Sequence, residues 1–308
     1  MLRLQHCSVT LNRMLLNYIE PVFRPPSEAN SLILQVTNGC SWNHCTFCEM
    51  YTDEQKKFRP KALEKIRQDL SDSTHSTWPV KRIFLADGDA MTLSFKRLNE
   101  ILLAINEFYP DVQRISAYCL PRNLKNKTVD ELTQLRQLGL SLVYVGCESG
   151  DDTVLEKITK GETWQSSLDA LLKLQQAGIK RSVMILNGLG GTRYSEQHAI
   201  HSAQLMNESQ PEYLATLVVS FPKGAKRFEQ GFDDEFQALN TLQLASEMEI
   251  FLSTLQLDKT IFRSDHASNY LVLKGVLNKD REKLLKLVRQ SISDPGSVTL
   301  RKEWQRGL

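Results

Sequence analysis

Three of the six cysteines, Cys40, Cys45 and Cys48, lie within nine residues in the segment LILQVTNGCSWNHCTFCEMY. Their spacing is C-x4-C-x2-C, and an apolar run directly precedes them. Three thiolates on one short loop can surround one face of an iron–sulfur cube and leave one iron open for a small molecule. The spacing therefore indicates an iron–sulfur cluster with an open coordination position.

Zinc is the main alternative metal for these cysteines. Closed structural zinc sites usually have four ligands, and the chain has no second CxxC or HxxxH pair. His44 is too close to its neighbours for all of them to reach one metal. Cys7, Cys119 and Cys147 are too scattered to complete a site by spacing alone. Zinc and accidental structural cysteines therefore remain the weaker interpretations.

The elements that must position the cysteines are short apolar runs that alternate with amphipathic segments. Such runs are typical of parallel strands that are buried on both faces. The predicted strands are Leu32–Thr37, Arg82–Ala86, Gln113–Tyr118, Leu142–Gly146, Ser182–Leu186, Tyr213–Ser220 and Ile250–Gln256. The alternation predicts a parallel sheet with right-handed crossovers, and periodicity alone leaves open whether it is a barrel or an open sheet.

Local signals mark where several predicted helices begin and end. Thr128 and Glu131 have the spacing of a capping box, and Gly139 and Gly178 each end a helical pattern before a strand. Helices are also predicted over Lys61–Leu70 and from about Lys279 to Ile292. We expect three regions: an N-terminal extension over 1–30, a core over 31–225, and a C-terminal helical extension over 226–308 that packs on the core.

Composition limits the classes of function. The 308 residues carry a net charge of +2, which gives no support for bulk nucleic-acid or membrane binding. No apolar run approaches the roughly 18 residues of a membrane helix, and the N-terminus lacks a secretory signal pattern. Cysteines bunched in this way predict metal binding in the cytoplasm rather than disulfides.

The cysteine loop resembles that of the radical S-adenosylmethionine (SAM) superfamily, with Phe47 just before the last cysteine. Most of that superfamily has the spacing C-x3-C-x2-C, whereas this loop has one extra residue. The variant CSxNxCxFC(D/E)MY is similar to small radical SAM proteins labelled as relatives of oxygen-independent coproporphyrinogen oxidase. The resemblance covers roughly residues 31–222, and TIFRSDHASNYLVLKG adds a subgroup signature.

This resemblance implies an α/β fold, the radical SAM partial (βα)6 TIM-like barrel, with an added seventh strand and C-terminal helices. It also implies a 4Fe–4S cluster on Cys40, Cys45 and Cys48, with SAM bound to the open iron. One electron from the cluster would break a sulfonium S–C bond, and the resulting 5′-deoxyadenosyl radical would take a hydrogen atom from a substrate. The protein then supplies binding, orientation and exclusion of water.

Residues for SAM follow from matching family motifs. Asp87, Gly88 and Asp89 occupy the place of a Gly-Gly-Glu turn whose backbone contacts the SAM amino group, and a plain Asp/Gly turn is the alternative. Glu148 and Ser149 are the candidates for the ribose hydroxyls, and a loop-capping role is the alternative for Ser149.

The adenine ring is assigned to Gly188 and Gly190, where glycine lets a flat ring approach the backbone, with Phe47 against the same ring. A dinucleotide fingerprint is disfavoured because Arg193 stands where its third glycine would be.

Further polar residues have weaker assignments. Tyr118 and Arg122 follow the third strand, and Arg122 would meet a carboxylate or lie at the surface. FPKGAKRF resembles a Pro-x-Gly turn of several radical SAM groups. His266 and Asn269 would reach substrate, and a structural role is the alternative for His266. His198 and His201 are interpreted as structural, with a metal site as the alternative. Cys119 and Cys147 are interpreted as buried inert thiols, with a hydrogen-donor or cluster-ligand role as the alternative.

The leading hypothesis is therefore a cytoplasmic enzyme that cleaves SAM and abstracts hydrogen from an unidentified small-molecule or tetrapyrrole-like substrate. Its partners would include an electron donor such as flavodoxin or ferredoxin. Two alternatives remain: a non-catalytic iron–sulfur or haem carrier on the same fold, and an RNA-modifying radical SAM enzyme. The near-neutral charge argues against the second of these.

Overall fold

A computed structural model describes the backbone of residues 2–3 and all of residues 16–75, 78–221 and 224–306. Cys7 and the Pro222 and Lys223 positions of the FPKGAKRF turn lie outside these residues. The strands are β1 Leu2–Arg3, β2 Phe23–Arg24, β3 Leu32–Gln35, β4 Thr37–Asn38, β5 Arg59–Pro60, β6 Arg82–Ala86, β7 Arg114–Cys119, β8 Leu140–Glu148, β9 Lys180–Asn187, β10 Tyr213–Val218, β11 Ile261–Ser264 and β12 Leu273–Val276. The α-helices are α1 Leu63–Ser73, α2 Phe95–Phe108, α3 Val129–Gln137, α4 Asp152–Lys157, α5 Trp164–Gln176, α6 Gly191–Ser209, α7 Lys226–Gln230, α8 Thr241–Thr254 and α9 Arg281–Ser293.

The chain divides into two compact units. The first unit contains residues 1–43, 50–144 and 173–180, and the second contains 44–49, 145–172 and 181–308. Strand β8 begins in the first unit and ends in the second. Among the described residues, no helix is both long and apolar enough to cross a membrane.

The first unit is built on parallel strands. Strand β6 pairs in parallel with β3 on one side and with β7 on the other. All four residues of β3 are buried, as expected for a strand covered on both faces. Helix α2 buries Leu98, Ile101 and Ile105 on one stripe, and the Ser94 side chain caps its first turn.

The predicted helix signals of the first unit are confirmed. The Thr128 hydroxyl accepts the N–H of Glu131, and the Glu131 carboxylate accepts the N–H of Thr128 in return. Gly139 and Gly178 have φ values of +104° and +70°, the left-handed conformation that ends each helix before a strand.

The second unit continues the alternation of strand and helix. Strand β10 is parallel to both β9 and β11, and β12 is antiparallel to β11. The strand predicted over Ile250–Gln256 is wrong, because most of it belongs to helix α8. The buried residues Leu244, Met248, Phe251 and Leu252 recur with helical spacing, and Asn240 and Gln243 form a capping box at the start. The strand that follows β10 in the sheet is instead Ile261–Ser264.

Arg181 is a fully buried charge that ties the second unit together. Its guanidinium donates to the carbonyl oxygens of Leu171, Ser209 and Gln210 at 3.3, 2.8 and 2.9 Å. It also forms a two-point pair with the carboxylate of Glu212, at 3.2 and 2.9 Å. Burial alone would raise the pKa of Glu212, but the hydrogen bonds from Arg181 outweigh burial and lower it.

Replacing this arginine tests its contribution to stability. We expect Arg181→Met to lower the free energy of unfolding by about 2–4 kcal/mol, because three backbone carbonyls lose their donor. Arg289→Met is the matched control, since Arg289 makes an exposed pair with Glu249, and it should cost less than about 1 kcal/mol. Urea unfolding measures both, and equal midpoints would contradict this role of Arg181.

Candidate functional site

The cysteine loop, residues 39–49, starts directly after strand β4. Strands β4 and β5 pair antiparallel, which brings the chain before the loop beside the chain after it. The Asn38 amide reinforces this by donating to the carbonyl oxygens of Gln55 and Lys57 at 2.7 and 3.0 Å. Gly39 has φ +72°, and a Cβ there would lie 1.9 Å from the Lys56 carbonyl oxygen, so the position requires glycine.

The turn 87–89, predicted for SAM, contacts the start of this loop in the first unit. Gly88 has φ +64°, and a Cβ on it would lie 1.9 Å from the carbonyl oxygen of Gly39. The Asp89 carboxylate accepts the N–H of Ser41 at 2.8 Å, the Ser41 hydroxyl, and the Asn123 amide at 3.0 Å. Burial raises the pKa of Asp89, although the hydrogen bonds from Ser41 oppose the shift. The turn therefore fixes the backbone beside Cys40.

Asp87 forms a fully buried ion pair with Lys56, with 2.5 Å between the ammonium nitrogen and a carboxylate oxygen. The adjacent Gly88 N–H donates to the hydroxyl of Tyr51 at 2.9 Å. Burial, with the nearby charge of Asp87, raises the pKa of Tyr51 well above its usual value. Both acids of the turn thus have polar partners inside the first unit.

Arg122 and Tyr118 lie at the end of β7 and just beyond it. The Arg122 guanidinium lies over the Trp42 ring, 3.7 Å from its centroid, so it contacts a residue of the cysteine loop. Tyr118 is buried and packs edge-on against Phe84, with the ring centroids 5.0 Å apart. Arg122 therefore supports the loop from the first unit.

The second unit holds Cys45 and Phe47 beside a buried lysine. The Phe47 ring packs against an apolar cluster that includes Val154, Leu189 and Phe228. The Lys160 ammonium lies 5.8 Å from the centre of that ring and 3.2 Å from a carboxylate oxygen of Glu148. Burial alone would lower the pKa of Lys160, but the charges of Glu148 and Cys45 outweigh burial and raise it.

Arg227 places a second cation near the same part of the loop, because it donates to the carbonyl oxygen of Cys45 at 3.0 Å.

Glu148 and Ser149, predicted for the ribose, end strand β8 in a sharp turn. Glu148 has φ +66° and directs its carboxylate to Lys160. Ser149 is fully buried, and its hydroxyl lies 2.7 Å from Nδ1 of His198 while it accepts the N–H of Asp151 at 2.9 Å. The hydroxyl of Ser149 therefore contributes to the turn, and its assignment to the ribose stays a prediction.

The glycines predicted for adenine lie between β9 and α6. Gly188 has φ +78°, and its N–H donates to Oε1 of Glu247 at 2.6 Å. The other oxygen of Glu247 accepts the Ser195 hydroxyl at 2.6 Å. Gly190 immediately precedes helix α6. A buried acid on helix α8 thus holds the first glycine of this turn.

Comparison with known proteins decides the family. A family model described as the radical SAM superfamily matches residues 34–206, which is more than half of the chain. The chain belongs to the radical SAM superfamily. Members of this superfamily use a 4Fe–4S cluster and SAM.

Curated relatives match part of their own length. A protein of Pyrococcus horikoshii named as an uncharacterized methyltransferase is 30% identical over 147 residues, 48% of this chain and 30% of that protein. A provisionally named methylthiotransferase of Methanocaldococcus jannaschii is 25% identical over 179 residues, 54% of this chain and 38% of that protein. The chain therefore spans less than half the length of these two relatives.

The fold is also similar to a solved structure. The crystal structure of methylornithine synthase superposes with a TM-score of 0.50 and 17% identity, covering 74% of this chain and 63% of that one. The expected α/β class, with mostly parallel strands and intervening helices, is thereby confirmed and is consistent with a radical SAM partial barrel. The subgroup suggested by the C-x4-C-x2-C spacing stays a prediction.

Four further histidines and cysteines of this radical SAM protein have surroundings typical of structural residues: His201, His266, Cys119 and Cys147. Nδ1 of His201 lies 2.7 Å from the Asp151 carboxylate. Burial and the charge of Arg301 lower the pKa of His266 to about 4, and its Nδ1 lies 2.9 Å from the Ser268 hydroxyl. Cys119 is buried, and burial raises the pKa of Cys147 to about 12, so the latter thiol stays protonated.

Three buried charged residues of the site were not predicted from the sequence: Lys56, Lys160 and Glu247. Only Glu247 gives a sequence signal, since it lies on the same helical face as Leu244, Met248 and Phe251. An acid within an apolar stripe needs a polar partner, and the partner here is the Gly188 backbone. The two lysines find their partners only through tertiary contacts.

The chemistry of the cysteine loop fits an iron–sulfur cluster. Three thiolates are the donor set for a cube with one open iron, and the cations of Lys160 and Arg227 lie near Cys45. Within residues 16–75, 78–221 and 224–306, no three His, Cys, Asp or Glu side chains are already grouped as ligands of a metal ion. The fit therefore rests on the donors and their electrostatic surroundings.

The contact between the two glycine backbones generates a stability prediction. We expect Gly88→Ala to lower the free energy of unfolding by more than about 2 kcal/mol, because the methyl group meets backbone rather than a yielding side chain. Gly178→Ala is the matched control, since Gly178 also has a positive φ but open space around its Cβ position, and it should cost about 1 kcal/mol. Chemical denaturation of both variants measures the free energy of unfolding. Equal losses in the two variants would show that the contact between the glycine backbones adds nothing to stability.

Proposed function

We propose that this chain is an enzyme that cleaves SAM reductively and abstracts hydrogen from an organic substrate. The observation that carries the proposal is the anchored three-cysteine loop in a chain that belongs to the radical SAM superfamily. Cys40, Cys45 and Cys48 are the proposed ligands of a 4Fe–4S cluster. When bound, such a cluster supplies the electron that breaks a sulfonium S–C bond and so yields a radical able to take a hydrogen atom.

The chain's own residues bind and orient in this proposal. Asp89 and Gly88 hold the backbone next to Cys40, and Lys160 places a positive charge beside Cys45. Phe47 packs on the apolar cluster of the second unit, which excludes water from its side of the loop. These contacts hold the backbone at Cys40 and at Cys45, each within its own unit.

The SAM contacts are proposed residue by residue from the family motifs. The backbone of Gly88, in the turn of Asp87 and Asp89, is assigned to the amino group. Glu148 and Ser149 are assigned to the ribose hydroxyls, and the Ser149 hydroxyl also contacts His198.

For the adenine ring, the assigned residues are Gly188, Gly190 and Phe47. The electron donor is proposed to be a small redox protein such as flavodoxin or ferredoxin.

The proposal is tested by the products of SAM. The full chain is purified without oxygen, reconstituted with iron and sulfide, reduced and given SAM. We expect 5′-deoxyadenosine and methionine to form, and we expect Cys45→Ala to lower the yield at least about a hundredfold through loss of a cluster ligand. Liquid chromatography with mass spectrometry measures both products.

Cys147→Ala is the matched control, because it removes a buried cysteine whose thiol stays protonated, and it should retain cluster absorbance and product. A cluster that forms while SAM remains whole under strong reduction would favour the carrier alternative. If the protein instead contains one zinc ion per chain and shows no sulfide-dependent absorbance, the proposal of an iron–sulfur cluster is rejected.

A further inference from the structure

A cavity of about 350 Å³ lies in the second unit at the carboxyl ends of three parallel strands. Asn187, Val218 and Ser264, which line it, are the last residues of β9, β10 and β11. Ligands of α/β folds bind at this end of the strands, and the volume is in the range of small-molecule sites, roughly 300–1,000 Å³.

The lining of the cavity is largely apolar, and its polar side chains are uncharged at neutral pH. Leu244, Ala245 and Met248 of helix α8 form one wall, and Val288 and Ile292 of helix α9 lie on another. No Asp, Glu, Lys, Arg or His residue is among the described residues that line it. An ionised group placed inside would lose part of its hydration without gaining a charged partner among these residues.

One polar side chain in the wall has an acceptor without a partner. Asn187 is 5% exposed, and its Oδ1 is buried without a hydrogen-bond partner among the described residues. Buried amide oxygens are nearly always paired in folded proteins, so this wall residue lacks a donor that a ligand could supply.

Hydrogen bonds hold the wall of the cavity that contains Asn269 and Tyr270. Asn269 and Tyr270 line the cavity, and the Asn269 amide donates to the carbonyl oxygen of Thr216 at 2.8 Å. Arg301 donates to the carbonyl oxygens of His266 and Asn269 at 2.6 and 3.0 Å. These bonds fix the 266–270 segment that forms this wall.

We propose that this cavity binds the organic substrate, and that the substrate is an uncharged, largely apolar small molecule with a hydrogen-bond donor for Asn187. The inference rests on the proposed function in so far as it names the ligand a substrate. Asn187 directly precedes Gly188, and Glu247 on the wall helix α8 accepts the Gly188 N–H. The same chemistry disfavours a tetrapyrrole carrying ionised carboxylates inside the cavity.

A matched pair of fluorescent probes tests the ligand class. N-phenyl-naphthylamine is uncharged, apolar and carries one N–H, whereas anilinonaphthalene sulfonate has the same ring body with an added anionic group. We expect the neutral probe to bind the full chain at one site with an affinity at least tenfold higher than the anionic probe. Equal affinity for the two probes would overturn the charge argument.

Three variants locate the bound probe. Ala245→Phe fills the cavity and should weaken binding of the neutral probe at least tenfold, whereas Asn187→Leu removes the acceptor and should weaken it about threefold to tenfold. Ala238→Phe adds the same side chain at an exposed position and should leave binding unchanged. Unchanged binding in Ala245→Phe would place the probe elsewhere and overturn the site.

The assignment as substrate is tested with the reconstituted enzyme. The neutral, reversed-phase fraction of a cell extract should increase the rate of 5′-deoxyadenosine formation and displace N-phenyl-naphthylamine, and the anionic fraction should do neither. Stimulation by the anionic fraction alone, without displacement, would overturn the assignment. Because probe binding needs no cluster, binding without SAM cleavage would contradict the proposed function, whereas cleavage without probe binding would contradict this inference.

Discussion

Two glycine backbones meet where the cysteine loop begins, and the geometry of the loop depends on this contact. Gly39 and Gly88 both adopt positive φ, and neither has room for a Cβ. The Asp89 carboxylate holds the loop at Ser41 through a hydrogen bond. The buried ion pair of Lys56 and Asp87 also holds the turn 87–89. The backbone beside Cys40 is therefore held by residues that follow strands β4 and β6.

Much of this arrangement could be predicted because its signals are local. The cysteine spacing, the apolar strands, the capping box at Thr128 and the glycines that end α3 and α5 depend on neighbouring residues alone. The strand predicted at Ile250–Gln256 failed because a short apolar run does not distinguish a strand from the end of a buried helix. Only the longer spacing from Leu244 to Phe251 shows the helix.

The parts that could not be predicted depend on contacts between residues far apart in the chain. Lys56 and Lys160 look like ordinary surface lysines in the sequence, yet both are buried against carboxylates. The contact of the Ser149 hydroxyl with His198, 49 residues later, likewise has no local signal in the sequence. The cavity has no motif at all, since its walls come from the ends of three strands and from two helices that each look amphipathic for ordinary reasons.

Helix α8 touches two regions with different chemistry. Its Glu247 carboxylate holds the glycine turn proposed for the cofactor, and Leu244, Ala245 and Met248 on the same helix face the cavity. A small rigid displacement of the helix therefore changes both regions together. A ligand that binds one region and favours one position of α8 changes the binding affinity at the other region. By thermodynamic linkage, a ligand at the second region changes the affinity at the first by the same factor. Cooperativity between cofactor and substrate would then require no element beyond this single helix.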